Sequence, residues 1–86
     1  MIVEWKIPDE ELPIVEPTGI DGLMSSDYIL LSFINYPLIA VGRYDMEADG
    51  SGAFYLGDDK KSCTEQGLFV NAWMPIIPPY RDDKLY

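Results

Sequence analysis

Residues 28–44, Tyr-Ile-Leu-Leu-Ser-Phe-Ile-Asn-Tyr-Pro-Leu-Ile-Ala-Val-Gly-Arg-Tyr, are the segment from which the fold is best predicted. Two runs, 28–34 and 38–44, are rich in aliphatic and aromatic residues, as strands are. The triplet 35–37 between them, Asn-Tyr-Pro, has the composition of a turn. This spacing predicts a β-hairpin.

The first run of this hairpin is apolar on both of its faces. An ideal strand places Tyr28, Leu30 and Ile34 on one side and Ile29, Leu31 and Phe33 on the other. A single-layer sheet cannot cover both sides. Either the preceding loop covers the second side or another chain does, and a homodimer is one of the two expected outcomes.

Shorter patterns on either side of the hairpin complete the predicted sheet. Alternation of apolar and charged residues predicts a strand at 2–7, which Pro8 ends, and Asp9-Glu10-Glu11 can open one helical turn. The predicted fold is mainly β: a small twisted antiparallel sheet, a meander of four or five strands, with at most one short helix. The remaining predicted elements are a long loop at 13–27, a polar turn at 45–52, a strand at 53–56, a polar loop at 57–67 and a strand at 68–74.

The length of 86 residues suits one domain with a modest core. Residues 1–80 are predicted to form this single β-rich domain, and 81–86 a frayed C-terminal tail. Trp73 is expected to pack inward, although the proline-rich segment that it opens could instead be a ligand for an aromatic groove.

Charge is the feature of composition that bears most on function. The chain has 15 Asp and Glu, six Lys and Arg and no His, for a net charge of -9. Such a chain repels phosphate backbones and is attracted to basic surfaces. Direct nucleic-acid binding is therefore not expected, whereas binding to a basic protein surface is.

Few residues are available for catalysis or for a cofactor. Cys63 is the only cysteine, so an intramolecular disulfide and a Cys/His zinc site are both excluded. Lys60 and Lys61 could lower its pKa, but a papain-like arrangement lacks its histidine, and an ordinary thiol is the simpler interpretation. We expect no enzyme activity and no cofactor. The sequence shows no signal-peptide pattern and no long apolar run, which favours a cytoplasmic location.

The turn after the hairpin has half of a calcium-binding pattern. Asp45, Glu47, Asp49 and Gly50 match positions 1, 3, 5 and 6 of an EF-hand loop, but position 12 is Leu56 where a bidentate Glu is required. A hairpin turn with solvated carboxylates is the better interpretation, and no metal is predicted. Water should also keep these carboxylates ionised, which disfavours acid/base catalysis.

The acidic residues of the two polar loops are the candidate protein-binding site. They lie at the ends of predicted strands, and loops on one side of the sheet would form a single negative patch. The alternative is that the acidity serves only solubility. The candidate contact residues are Asp45, Glu47, Asp49, Asp58 and Asp59.

Short motifs along the chain resemble a family of small phage and prophage proteins, a domain of unknown function. Its pattern is Trp…Leu-Pro, then a Val-Leu-Val strand, then a closing Trp-Met-Pro-Leu-Pro, and Trp73-Met74-Pro75 is the most specific match. The chain departs from it in a longer insert after Pro13 and in Ile76-Ile77, where the family has Leu-Pro. The resemblance implies phage origin and a small β-rich fold, and no activity. The matching segments are Trp5, Leu12-Pro13, Asp27-Tyr28-Ile29-Leu30-Leu31, Gly42-Arg43-Tyr44 and Ala72 to Tyr80.

Two functional hypotheses follow from these observations. The first is a non-enzymatic acidic inhibitor from a phage or mobile element, a nucleic-acid mimic that blocks the basic channel of a host defence nuclease, as anti-CRISPR and anti-restriction proteins do. The second is a structural or accessory homo-oligomeric phage protein whose acidity serves only solubility. The salt dependence of binding separates them, because only the first depends on charge attraction.

Overall fold

Six strands and one 3₁₀ turn make up the regular structure of residues 4–76, the part of the chain that the computed structural model describes. Every strand pair is antiparallel. The prediction of a mainly β fold built on a small antiparallel sheet is confirmed. The elements are β1 (Glu16–Pro17), β2 (Met24–Ser25), β3 (Ile29–Phe33), β4 (Tyr36–Met46), β5 (Gly52–Leu56), the 3₁₀ turn (Thr64–Gln66) and β6 (Val70–Pro75).

The predicted hairpin is formed by β3 and β4, but its turn is shorter than predicted. Ile34 and Asn35 make the turn, and Tyr36 and Pro37 already belong to β4. The Asn35 side chain holds the turn against the segment before β6: its Nδ2 donates to the Gly67 carbonyl (2.7 Å), and its Oδ1 accepts from the Phe69 N–H (3.0 Å).

One face of β3 forms the centre of the core. Ile29, Leu31 and Phe33 are buried, and Leu31 is completely inaccessible to solvent. Trp73 on β6 lies opposite Leu31, is also buried, and donates from Nε1 to the Glu11 carbonyl at 2.9 Å. The prediction that Trp73 packs inward is confirmed.

β5 extends the sheet along the second half of β4, where the rings of Tyr44 and Phe54 pack in a tilted arrangement with centroids 4.9 Å apart. The loop after β5 then returns along its other edge. Ser62 pairs with Tyr55, and the Cys63 N–H donates to the Phe54 carbonyl at 2.8 Å. β6 lies beside β3, and the order β1-β2-β4-β3-β6, with β5 on β4, departs from a simple meander.

The strand predicted at 2–7 is wrong for residues 4–7. Only Lys6 pairs, through one bridge to Trp73, and Trp5 and Ile7 are exposed. The segment cannot continue as a strand because Pro8 follows and the chain turns, with the N–H groups of Glu10 and Glu11 both donating to the Ile7 carbonyl.

The segment 13–27 is not the uninterrupted loop that was predicted, because it contains β1 and β2. β2 pairs with the end of β4 through Met24 opposite Met46, which makes the segment a short antiparallel ribbon. It does not cover the side of β3 that carries Leu30, since Ile14 and Ile20 are largely exposed to solvent.

Other predictions fall outside the described residues. These are the strand residues 2 and 3, the extended segment at Pro78-Pro79, the domain boundary at 80 and the frayed tail at 81–86. Within residues 4–76, no helix has the length and apolar character required to cross a membrane.

Candidate functional site

The structure separates the five candidate acidic residues into three places. Glu47 and Asp49 lie in the turn from β4 to β5, Asp58 and Asp59 lie in the loop that follows β5, and Asp45 lies within β4. The two loops therefore sit at opposite ends of β5, about 17 Å apart for five residues at strand spacing. They form two acidic sites rather than the single patch considered from the sequence.

The turn at 47–51 presents Glu47 and Asp49 on a well-defined backbone. The Glu47 N–H donates to the Ser51 carbonyl (2.8 Å), the Gly50 N–H donates to the Glu47 carbonyl (2.9 Å), and Gly50 has a φ of 87°, which glycine adopts without strain. Asp49 Oδ1 accepts from both the N–H (2.9 Å) and the Oγ (2.6 Å) of Ser51. These bonds hold the pKa of Asp49 below its ordinary value, so this carboxylate stays charged.

Asp45 has an internal role. Only 12% of its side chain is exposed, and its carboxylate accepts from Ser25 Oγ and from Arg43 Nε, the latter at 3.2 Å. These contacts connect β2 to β4 and balance the charge of Asp45. Asp45 is therefore placed to position neighbouring residues, and poorly placed to attract a partner.

Arg43 organises the other acidic loop. Its Nη1 donates to the Gly57 carbonyl, its Nη2 donates to the Asp59 carbonyl (2.9 Å), and its guanidinium lies 4.7 Å from the centre of the Tyr55 ring. The acidic loop is thus anchored to the sheet by a cation. Arg43 was not predicted from the sequence to have a functional role; the available signal was its position two residues before Asp45 in a strand, on the same face.

Asp58 connects its loop to the hairpin. Asp58 Oδ1 accepts from the hydroxyl of Tyr28, which precedes β3. The hydrogen bond, and then the negative charge of Asp58, raise the pKa of Tyr28 above its ordinary value. Asp59 accepts a weaker bond from Gln66 Nε2 at 3.3 Å.

An exposed apolar strip borders this acidic loop. Leu30 and Val41 are directly opposed on the face of the sheet away from the core. Val41 and Ile39 are 48% and 57% exposed, and Tyr28 is half exposed. On the same face, Leu30 is partly buried and its partner on β6, Met74, is buried, so in the described part of the chain the face that was predicted to need a cover is open mainly along β4. We call Tyr28, Leu30, Ile39 and Val41 the second face.

The geometry of the described residues does not assemble a metal or thiol site. Residues 4–76 contain no group of three His, Cys, Asp or Glu side chains placed to hold a metal ion. Cys63 is only 1% exposed, and burial raises the pKa of its thiol. The lowering considered from Lys60 and Lys61 is therefore wrong: desolvation has the largest effect on the thiol pKa, and the cation that opposes it is Arg43.

Comparisons with known proteins give no match to this chain. No protein-family model matches it, and neither a curated protein nor a solved structure matches it. The resemblance to a phage family that was inferred from short motifs therefore stays a prediction.

Proposed function

We propose that this protein is a non-enzymatic acidic inhibitor, from a phage or mobile element, that binds the basic nucleic-acid channel of a host defence nuclease. The observation that carries the proposal is the pair of ordered, exposed acidic loops at the two ends of β5. The net charge of -9 supplies the long-range attraction to such a channel.

The arrangement of the carboxylates suits competition with a nucleic acid. A channel that binds nucleic acid is lined with Lys and Arg spaced to meet successive phosphates. Two acidic sites about 17 Å apart can meet separate parts of such a channel. Glu47, Asp49, Asp58 and Asp59 are the proposed contact residues, and Asp45 positions β2 and Arg43 behind them.

Ordered loops also favour binding. Asp49 is held by Ser51, and the loop with Asp58 and Asp59 is held by Arg43 and Tyr28. Because the carboxylates are positioned before the partner arrives, less conformational entropy is lost on binding.

The test measures DNA cleavage by a panel of purified restriction and RNA-guided nucleases, with and without the protein. We expect at least one nuclease to be inhibited at about 50 mM salt and much less at about 300 mM, because screening weakens attraction between exposed charges. The double variants Glu47→Gln/Asp49→Asn and Asp58→Asn/Asp59→Asn should each inhibit less.

The matched control is Glu4→Gln/Glu10→Gln, which removes the same charge from exposed positions outside both loops. It should inhibit almost as well as the unmodified protein. Equal loss in all three variants would mean that net charge alone matters. Inhibition that does not change with salt would contradict the proposal.

The second candidate function is a homo-oligomeric structural or accessory phage protein, and the exposed second face favours it. Sedimentation velocity at micromolar concentration tests it directly. A concentration-dependent dimer that Val41→Lys disrupts would support this function, and a strict monomer would contradict it.

A further inference from the structure

β4 is longer than the strands that pair with it. Gly42 pairs with Ile29 of β3 and with Leu56 of β5, so these two strands lie on opposite edges of β4. β5 covers only Gly42–Met46. Within the described residues, the edge of β4 from Tyr36 to Val41 that faces away from β3 has no partner strand.

The end of this open edge is marked by a hydrogen bond from the Gly57 N–H to the Val41 carbonyl at 3.0 Å. The register of β3 against β4 shifts between the pair Leu31–Ala40 and the pair Phe33–Tyr36, so β4 is irregular within residues 37–39. Ile39 adjoins the paired Ala40, and the two-residue alternation of backbone groups, continued from Val41, directs its N–H and C=O to the open edge. Pro37, which lacks an N–H, lies further along; proline is tolerated within strands mainly at such edges.

Apolar side chains surround the open edge. Leu38, Ile39 and Val41 are 62%, 57% and 48% exposed, and Tyr36 is half exposed. Exposed apolar side chains beside unpaired backbone groups are the features by which a sheet edge accepts an added strand.

Negative charge lies at the end of the edge where β5 leaves. Asp58 and Asp59 follow Gly57 directly, and Asp58 is turned towards the second face by its bond with Tyr28. The chain then returns along the far edge of β5, where Ser62 pairs with Tyr55, and it carries Lys60 and Lys61 in that direction. A segment added to β4 would therefore meet apolar side chains first and carboxylates at its end.

We propose that the open edge of β4 accepts an extended basic segment of the partner protein, in which apolar residues alternate with Lys or Arg. Its backbone pairs with Ile39, its apolar side chains lie on the second face, and the cation at the end that runs past Val41, where Gly57 already occupies the Val41 carbonyl and pairing with β4 stops, reaches Asp58 and Asp59. This inference rests on the proposed function and names the surface and the kind of segment that it uses. A second copy of this chain is a poorer occupant, because each copy carries a net charge of -9.

The test uses two synthetic peptides with blocked ends and equal charge, (Lys-Val)₄ and (Lys-Ser)₄, with the isotope-labelled protein in NMR titrations. We expect (Lys-Val)₄ to shift the amide signals of Ile39 and Val41 and to slow the hydrogen exchange of Ile39, and (Lys-Ser)₄ to have little effect. Shifts confined to other strands, or equal shifts with both peptides, would overturn the inference.

Two variants test whether the peptide pairs with the open edge at Ile39 and whether its cations contact Asp58. Ile39→Pro removes the central N–H of the open edge at a position where a strand tolerates proline, and it should abolish (Lys-Val)₄ binding while the protein stays folded. Asp58→Asn should weaken binding about two- to fivefold, as for the loss of one exposed ion pair. The matched control Glu10→Gln, an exposed carboxylate outside both acidic loops, should leave it unchanged. If Ile39→Pro does not fold, Ile39→Lys replaces it, since a cation there should weaken binding as well.

The outcomes separate this inference from the proposed function. Salt-sensitive nuclease inhibition that persists in a folded Ile39→Pro variant would overturn the edge inference alone. If the unmodified protein inhibits no nuclease in a salt-sensitive way but still binds (Lys-Val)₄ at the edge, the proposed function alone is contradicted. Concentration-dependent shifts of Ile39 and Val41 without peptide would show that a second copy occupies the edge, which overturns the inference.

Discussion

At the scale of single residues, Arg43 shows how an acidic protein uses one of its few cations internally. Its guanidinium contacts Asp45, the carbonyls of Gly57 and Asp59, and the ring of Tyr55. A planar group with several donors can satisfy all of these contacts at once, which a lysine ammonium on a flexible stem cannot. Arg43 thus connects the folded sheet to the acidic loop that we propose binds the partner.

Replacing Arg43 with lysine should therefore destabilise the fold even though the charge is kept. We expect Arg43→Lys to lower the free energy of unfolding by about 1–3 kcal/mol, the range for losing hydrogen bonds that involve a charged group. Urea denaturation measures this value. Lys61→Arg, at an exposed position in the neighbouring loop, is the control and should change stability little. Equal stability of Arg43→Lys and the unmodified protein would contradict the role given to Arg43.

The pair of Tyr28 and Asp58 makes a prediction about pH. The raised pKa of Tyr28 means that the folded protein holds this proton more tightly than the unfolded chain does. The stabilisation is fully present below the ordinary tyrosine pKa of about 10 and is lost as the pH rises through the higher folded value. Difference titration of tyrosinate absorbance against Tyr28→Phe should therefore show one tyrosine that ionises above the ordinary pKa.

The variant Asp58→Asn checks the cause of this shift. It removes the charge and the carboxylate acceptor, so the pKa of Tyr28 should fall towards its ordinary value. Asp49→Asn, which removes a carboxylate at the other end of β5, should leave the titration of Tyr28 as it was. A Tyr28 signal that does not move in Asp58→Asn would argue against contact between the two side chains.

At the scale of elements, the pairing of β4 with β3 on one edge and with β5 on the other depends on Gly42. A Cβ at this position would overlap both the Tyr55 carbonyl oxygen and the side chain of Leu31. The core and the pairing with β5 both need this close approach.

Gly42→Ala should therefore destabilise the protein by about 3 kcal/mol, at the upper end for overpacked cores. Thermal unfolding followed by circular dichroism measures the effect. Gly19→Ala is the control: Gly19 has open space around it but a φ of 91°, so the expected cost is backbone strain alone, about 1 kcal/mol. A smaller loss of stability in Gly42→Ala than in Gly19→Ala would contradict the close approach of Leu31 and Tyr55 to Gly42.

The elements also show which parts of this fold could be predicted from sequence patterns. The hairpin was predictable because its two strands are close in sequence and each is strongly apolar. The strand at residues 4–7 was not borne out: the alternating pattern is present, but only Lys6 pairs, through its isolated bridge to Trp73. β1 and β2 were missed because two-residue strands have no periodicity to detect; Met24 pairs only because β4 extends as far as Met46.

The candidate site was less predictable than the fold. Acidic residues in turns could be identified from composition, but their separation by β5 depends on the pairing of that strand with β4. Asp45 looked equivalent to its neighbours in sequence. Its burial beside Arg43 and Ser25 follows from tertiary contacts between β2 and β4, which are distant in the chain.

At the scale of the whole molecule, carboxylates outnumber cations and repel one another across a small fold. Salt screens this repulsion, so the melting temperature should rise between about 20 mM and about 200 mM sodium chloride. Differential scanning fluorimetry measures it. Glu47→Gln/Asp49→Asn should show a smaller rise than the unmodified protein. A melting temperature that falls with added salt would mean that favourable ion pairs dominate.

The molecule as a whole is proposed to compete with a nucleic acid for a basic channel, and displacement tests this most directly. Labelled DNA is bound to a nuclease that the protein inhibits, and fluorescence anisotropy is followed as the protein is added. We predict that the anisotropy falls to the value of free DNA, and that Asp58→Asn/Asp59→Asn requires more protein for the same fall. DNA that stays bound while the nuclease is inhibited would contradict the account.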